Sequence, residues 1–156
     1  MKILEFITKY KNGEIKNLRE TLAVRDYATF AEKYDLCSSV LVECNTIDEK
    51  TGVVVIDSVM RHVVFTITAL SLYTNLEFSS DENSETTSID EYDMLCENKL
   101  LELIIDEFAE EYTGCEHMLN TMQNDLVVNS NGIHNIISKI VSQIDIDNLT
   151  KELTNK

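Results

Sequence analysis

At 156 residues the chain is long enough for one domain that buries roughly 70% of the surface its unfolded form exposes, so neither disulfides nor a structural metal are needed to hold it together. Its 28 Asp and Glu outweigh 13 Lys and Arg, and a net charge of −15 sets it against polyanions such as nucleic acid and anionic membrane. Without proline and with only four glycines (Gly13, Gly52, Gly114, Gly132), it favours long helices joined by short polar turns: a mainly α, compact bundle of about six helices.

The first element is a short amphipathic helix over residues 1–11, with Ile3, Leu4, Phe6 and Ile7 clustered and Asn12-Gly13 closing it. Glu5, Lys9 and the lack of a long apolar run set this end apart from a signal peptide. A second helical signal runs from Asn17 to Tyr34 and on toward Asn45. Within it Asn17 with Glu20, and Thr29 with Glu32, have capping-box spacing, so a break is expected near residues 26–29. Leu36, Val40 and Cys44 then recur at four-residue steps on one stripe.

Residues 46–52 read as a polar turn. Three readings of the region 39–56 stand: Val53 to Ile56 is a short strand, or the lead-in to the next helix, or it pairs with Ser39 to Cys44 as a short β-hairpin, both runs being rich in β-branched residues. Asp57 or Ser58 makes a good N-cap for a helix over 59–75. There Val59, Val63, Ile67 and Leu70 trace one face, and Met60, Val64, Phe65 and Leu72 fill most of another. A helix apolar nearly all round belongs at the centre of a core, with His62 inside it as a hydrogen-bonded residue. Val53 to Leu76 is the best candidate for a membrane span, but Asp57, Arg61 and His62 interrupt it and leave it short of the roughly 20 residues a span needs.

Residues 79–88 are all Ser, Asp, Glu, Asn or Thr, and are expected to form a solvated, mobile acidic loop. Ser88 and Glu91 have capping-box spacing for a short helix holding Tyr92 and Leu95. Residues 99–112 continue as a surface helix, with Leu100, Leu103, Ile104 and Phe108 on one stripe and Glu102, Asp106 and Glu110 on another. Thr113 and Glu116 predict a restart at Gly114 that lines up Met118, Leu119, Met122 and Leu126, and Asn129 to Gly132 predicts a break. Ile133, Ile136, Ile137, Ile140, Val141 and Ile144 then give a heptad-like stripe, and a last short helix opens at Asp147. The whole is a single domain over 1–156, and its 133–156 segment either docks on a neighbour or closes the protein's own core.

The charge is unevenly spread: residues 76–128 hold fifteen acids against the single base Lys99. Motifs for chemistry do not accompany it. Asp81, Asn83 and Glu85 match the first liganding positions of a calcium-binding EF-hand loop, but Thr86 replaces its turn glycine and Tyr92 its bidentate glutamate. Glu107 and Glu110 have the spacing of a metal-carboxylate motif, yet no second such pair follows, and neither His117 nor His134 has a glutamate three residues before it. Cys115 and His117 stand two apart and face different ways on a helix. The four cysteines, Cys37, Cys44, Cys96 and Cys115, form no C-x-x-C pair and are expected to be small buried core residues in a reducing, cytosolic setting. No catalytic residue, cofactor or metal is therefore assigned, and no direct sequence-specific nucleic-acid binding or membrane contact is expected.

Phe30-Ala31-Glu32-Lys33 leading into Leu36-Cys37, Gly52, Asp57, Phe65-Thr66, Leu72-Tyr73-Thr74-Asn75-Leu76-Glu77, Tyr92-Asp93-Met94-Leu95 and Leu100-Leu101 resemble small acidic helical proteins of tailed bacteriophages of low-GC Gram-positive bacteria, over about half the chain. The resemblance implies a non-enzymatic virion protein at the head-to-tail interface. Such a protein would be a connector or adaptor forming a homo-oligomeric ring, with portal or neighbouring connector and tail proteins as partners, in the virion and, during assembly, in the host cytoplasm. Candidate protein-contact residues are Asp106, Glu107, Glu110 and Glu111 on the acidic face and Ile133, Ile136, Ile137 and Ile140 on the apolar stripe. The alternative is a phage-encoded inhibitor of a host defence nuclease whose helical acids, about 6 Å apart at i, i+4, imitate the phosphates of a nucleic-acid strand. A carboxylate-metal enzyme is the third reading, and the missing second acidic pair counts against it.

Overall fold

A computed structural model of the protein describes residues 1–48, 53–79 and 86–143, of which residues 130–143 by their backbone alone. Its elements, in chain order, are α1 (Ile3–Lys11), α2 (Leu18–Thr21), α3 (Phe30–Cys44), β1 (Asn45–Ile47), β2 (Val54–Ile56), α4 (Ser58–Tyr73), α5 (Ser88–Glu97), α6 (Leu101–Asp106) and α7 (Ala109–Gln143). The fold is mainly α with one short antiparallel hairpin, β1 against β2. Helix α3 lies against both α4 and α7, and α5 packs on α1 and α4. The core between them is built from Phe6, Leu22, Cys37, Val40, Phe65, Ala69, Leu70, Tyr73, Leu95, Ile104, Cys115 and Leu119, all nearly or fully shielded from solvent.

Side-chain caps start these helices where local chemistry asks for them. Asn17 accepts the Glu20 N–H, Asp57 accepts the Met60 N–H, and Thr29 and Glu32 form the reciprocal capping box that opens α3. Ahead of α5 the box is one residue earlier than expected: Thr87 pairs with Asp90. That releases Glu91, which turns inward, is 8% exposed, and accepts from the Ser79 N–H at 2.6 Å and the Ser79 hydroxyl at 2.9 Å.

Helix ends follow a different rule. After α1 the Glu14 N–H reaches the Lys9 carbonyl and the Gly13 N–H the Tyr10 carbonyl, with Gly13 at φ +70°: a Schellman motif with glycine at its left-handed position. The same pair of bonds closes α2 (Val24 N–H to Arg19, Ala23 N–H to Glu20) and α5 (Leu100 N–H to Leu95, Lys99 N–H to Cys96), but here Ala23 at φ +48° and Lys99 at φ +56° take the left-handed place. Both are solvent-exposed and carry a Cβ that this conformation disfavours. Replacing either by Gly is expected to raise the unfolding free energy by about 0.5–1 kcal/mol in denaturant titration. A loss of stability in both variants would mean that these turns are not strained.

Several expectations are corrected. The second helix stops after one turn at Thr21 and the chain does not become helical again until Phe30, because the α2 Schellman turn redirects it and buries Leu22 and Ala28. Ser39 to Cys44 are helical, so the hairpin is made by residues 45–47 instead. Helix α4 is buried on one side only: Phe65, Thr66, Ala69, Leu70 and Tyr73 face inward, whereas Val59 is 78% exposed and His62 lies at the surface. Residues 99–112 are not one helix, since a turn at Glu107–Phe108 separates α6 from α7. Beyond it α7 runs unbroken through both Gly114 and Asn129 to Gly132. Tyr112, Cys115 and Leu119 stay in phase on its inner face, and Gly114, with open space where a Cβ would be, costs only about 1 kcal/mol against Ala. The helix expected from Asp147 and residues 80–85 of the acidic loop lie outside the described residues.

The Leu72 to Glu77 stretch fastens three segments. The Arg25 N–H reaches the Tyr73 carbonyl, the Asn75 N–H the Leu22 carbonyl, the Asn75 side chain the Thr21 carbonyl, and the Glu77 N–H the Met1 carbonyl. The Met1 ammonium closes on the Asn75 carbonyl. These bonds hold the loop after α2 and the amino terminus against the end of α4.

Candidate functional site

The four candidate acids converge at the α6–α7 junction and then part. Asp106 ends α6, Glu107 follows in the turn, and Glu110 and Glu111 occupy the first turn of α7, where the helix dipole favours carboxylates. Asp106 and Glu110 are exposed, as is Glu102 one turn before, and together they make an outward acidic ridge. Glu107 is half-exposed and lies 3.9 Å from Arg19. Arg19 also donates to the Glu107 carbonyl and pairs with Asp26. Between this junction and the loop after α2 is a cleft of about 440 Å³, bordered by Arg19, Arg25, Asp26, Asp106, Glu107 and Glu110 among others. Arg25 is engaged as well, with Glu32 at 3.0 Å and the Leu72 carbonyl at 3.4 Å; the Thr29 N–H, then the Arg25 guanidinium and the Thr29 hydroxyl, hold the Glu32 carboxyl down at about 2.

Glu111 faces the other way. Its carboxylate accepts from the Tyr73 hydroxyl at 2.8 Å and the Ala28 N–H at 3.2 Å, and pairs with the Lys33 ammonium at 2.8 Å. Lys33 is itself 16% exposed and stands over the Tyr27 ring, 5.3 Å from its centroid. Burial pushes the Glu111 carboxyl up, but Lys33, Tyr73 and Ala28 together outweigh it and hold the group below its ordinary value. Tyr73 responds in the opposite sense: burial first, then its bonds to Cys115 and Glu111, drive its phenol well above the usual range and keep it a neutral donor. Its ring stacks on Phe108 at 5.0 Å, and its hydroxyl lies 3.4 Å from the Cys115 sulfur.

The cluster joins α3, α4, α7 and the loop after α2, and no local signal in the chain foretold it, because its bonded partners stand up to 83 positions apart. Cys37 meets the Cys115 carbonyl at 3.5 Å, and burial, followed by Cys115, raises its thiol to about 11, so it stays protonated at neutral pH and unreactive. Cys44 is buried likewise; Cys96 is exposed, against the expectation of four buried cysteines. Ile133, Ile136, Ile137 and Ile140 fall within the helical span of α7, where Leu119 and Leu126 precede Ile133 and Ile140 at seven-residue steps.

Among the described residues no three His, Cys, Asp or Glu side chains are grouped to hold a metal, and no helix is long and apolar enough to cross a membrane. The site thus consists of an outward acidic ridge backed by an internal ion-pair cluster, on a mainly helical protein. The chain matches no protein-family model, no curated protein and no solved structure.

Proposed function

We propose that the chain is a non-enzymatic bacteriophage structural protein at the head-to-tail interface, a connector or adaptor subunit that works through protein contacts in a ring of identical copies with portal or tail proteins as neighbours. The observation that carries this reading is the separation of the acids into two roles. Glu111 and Glu107 brace the fold, while Glu102, Asp106 and Glu110 remain on the surface, where they can meet a basic neighbour or line a channel through which DNA slides without adhering. The resemblance over residues 27–101 supplies the phage setting. Mass spectrometry of purified virions, scaled to the major capsid protein, should find the protein in a small fixed copy number, as a single closed ring requires. Its absence from the particle would overturn the reading.

The same ridge favours one other function, an acidic decoy for a host defence nuclease. Here Asp106→Lys with Glu110→Lys should abolish binding to the basic partner while leaving the fold intact. Reversing Glu107 or Glu111 would disturb the fold itself and tell nothing of mimicry.

A further inference from the structure

The hairpin is lightly supported and uncharged. Among the described residues, α3, which leads into it, is the one other element that packs on it closely. Its strands, Asn45-Thr46-Ile47 and Val54-Val55-Ile56, contain no ionisable residue in a chain of net charge −15. A two-stranded ribbon of this length is barely stable alone in water. Around it stand four strongly exposed aliphatic side chains: Val42 (81%) from the last turn of α3, Ile47 (70%), Val55 (52%) and Val59 (78%) from the first turn of α4.

The backbone bonds of the ladder fix which groups face outward. The register pairs Asn45 with Ile56, Thr46 with Val55 and Ile47 with Val54. The Asp57 N–H bonds the Cys44 carbonyl at 3.1 Å and the Asp48 N–H the Val53 carbonyl at 3.0 Å. Hydrogen-bonded pairs alternate along an antiparallel ladder, so pairs 44/57, 46/55 and 48/53 face inward, and the backbone groups of Val54 and Ile56 point out from the far side of β2. Natural edge strands are normally guarded by Lys, Pro or a bulge, and β2 has none of these.

We propose that β2 is a self-association edge: two copies of this chain pair their β2 strands antiparallel about a two-fold axis, merging two hairpins into one four-stranded sheet. Two features select a second copy as the occupant. An antiparallel pair of identical strands is self-complementary about a dyad, so no matching surface elsewhere is needed. Like-charged copies also repel one another everywhere except where the contact is neutral, and β2 is such a place. With Val55 on the axis, Val54 and Ile56 of each copy exchange backbone bonds and Val55 lies opposite Val55, which removes an exposed aliphatic side chain from water. This inference goes beyond the virion reading and stands without it, since the dimer is a property of the isolated protein.

Analytical ultracentrifugation of the full chain over a concentration series tests it. The wild type should sediment as a dimer. Val55→Lys, which keeps the hairpin ladder and sets two ammonium groups across the axis, should raise the dissociation constant at least tenfold. Val54→Pro, which removes an outward N–H and leaves the inward bonds of Thr46 and Val55 in place, should do the same, with far-UV circular dichroism reporting the helical fold in both variants. Ile47→Lys, on the opposite strand, should leave the dimer intact. A monomer at every concentration, a dimer indifferent to Val55→Lys, or an oligomer lost in Ile47→Lys, as head-to-tail pairing of β1 on β2 would give, overturns the proposal.

Discussion

Tyr73→Ala is expected to lower the unfolding free energy by about 4 kcal/mol, a fall in Tm on the order of 10 °C for a chain of this length. Tyr73 is fully buried, stacks on Phe108, and reaches Glu111 and Cys115 with its hydroxyl, so truncation opens a cavity where α4, α6 and α7 meet and leaves the carboxylate short of a donor. Tyr73→Phe separates the two effects. It keeps the ring stack and removes only the hydroxyl, and should cost about 1–2 kcal/mol, as for a hydrogen bond to a charged acceptor. Thermal melts of both variants give the comparison. Equal losses would show that the hydroxyl, not the ring, holds this junction.

Glu111→Leu is the second large effect, about 2–3 kcal/mol, because it leaves the mostly buried Lys33 ammonium and the Tyr73 hydroxyl without their common acceptor. Lys33→Met combined with Glu111→Leu should recover a substantial part of that loss, since two apolar groups of similar size leave no orphaned charge, and the double-mutant cycle measures the coupling. The pH dependence follows from the depressed carboxyl value. A carboxylate whose pKa is lower folded than unfolded contributes in full above the unfolded value, and that contribution fades as pH falls below it. Glu111→Gln should therefore be less stable than the wild type at neutral pH, and the two should converge in acid. A constant gap across the range would assign the effect to shape and not to charge. Amide exchange at Ala28 should quicken in the Gln and Leu variants, because its N–H bonds the Glu111 carboxylate.

Legibility of the fold divides along the same physical line. Helix starts were readable, because an N-cap is a bond between side chain and backbone three residues apart: Asn17, Thr29 and Asp57 cap as their spacing predicts. The exception, Thr87 in place of Ser88, arose where two hydroxyls adjoin and each has an acid three residues on; the choice fell to the one that frees Glu91 to bond Ser79. Helix ends were readable at Asn12-Gly13 and near Asn45, ahead of the polar turn. Ala23 and Lys99 take the left-handed position that usually marks itself with glycine, so the stops of α2 and α5 carried no local mark. Gly114 and Asn129 to Gly132 carried such marks and stopped nothing, since α7 has its apolar positions in phase on either side of them.

The acids show the same division in the candidate site. That residues 76–128 are strongly acidic, and that Glu102, Asp106 and Glu110 share an outer stripe, followed from order and period alone. That Glu111 turns inward did not, because its partners Ala28, Lys33 and Tyr73 come from two other helices and a loop, and only packing brings them within bonding distance. By itself, then, the amino-acid sequence determined the mainly helical class, most helix starts, the buried face of α3 and the acidic bias of the surface, all of which depend on neighbours within about four residues. The tertiary structure alone decided where α2 and α5 end, which side of α4 is buried, and that Glu107 and Glu111 brace the fold, because burial and charge pairing depend on residues distant in the chain.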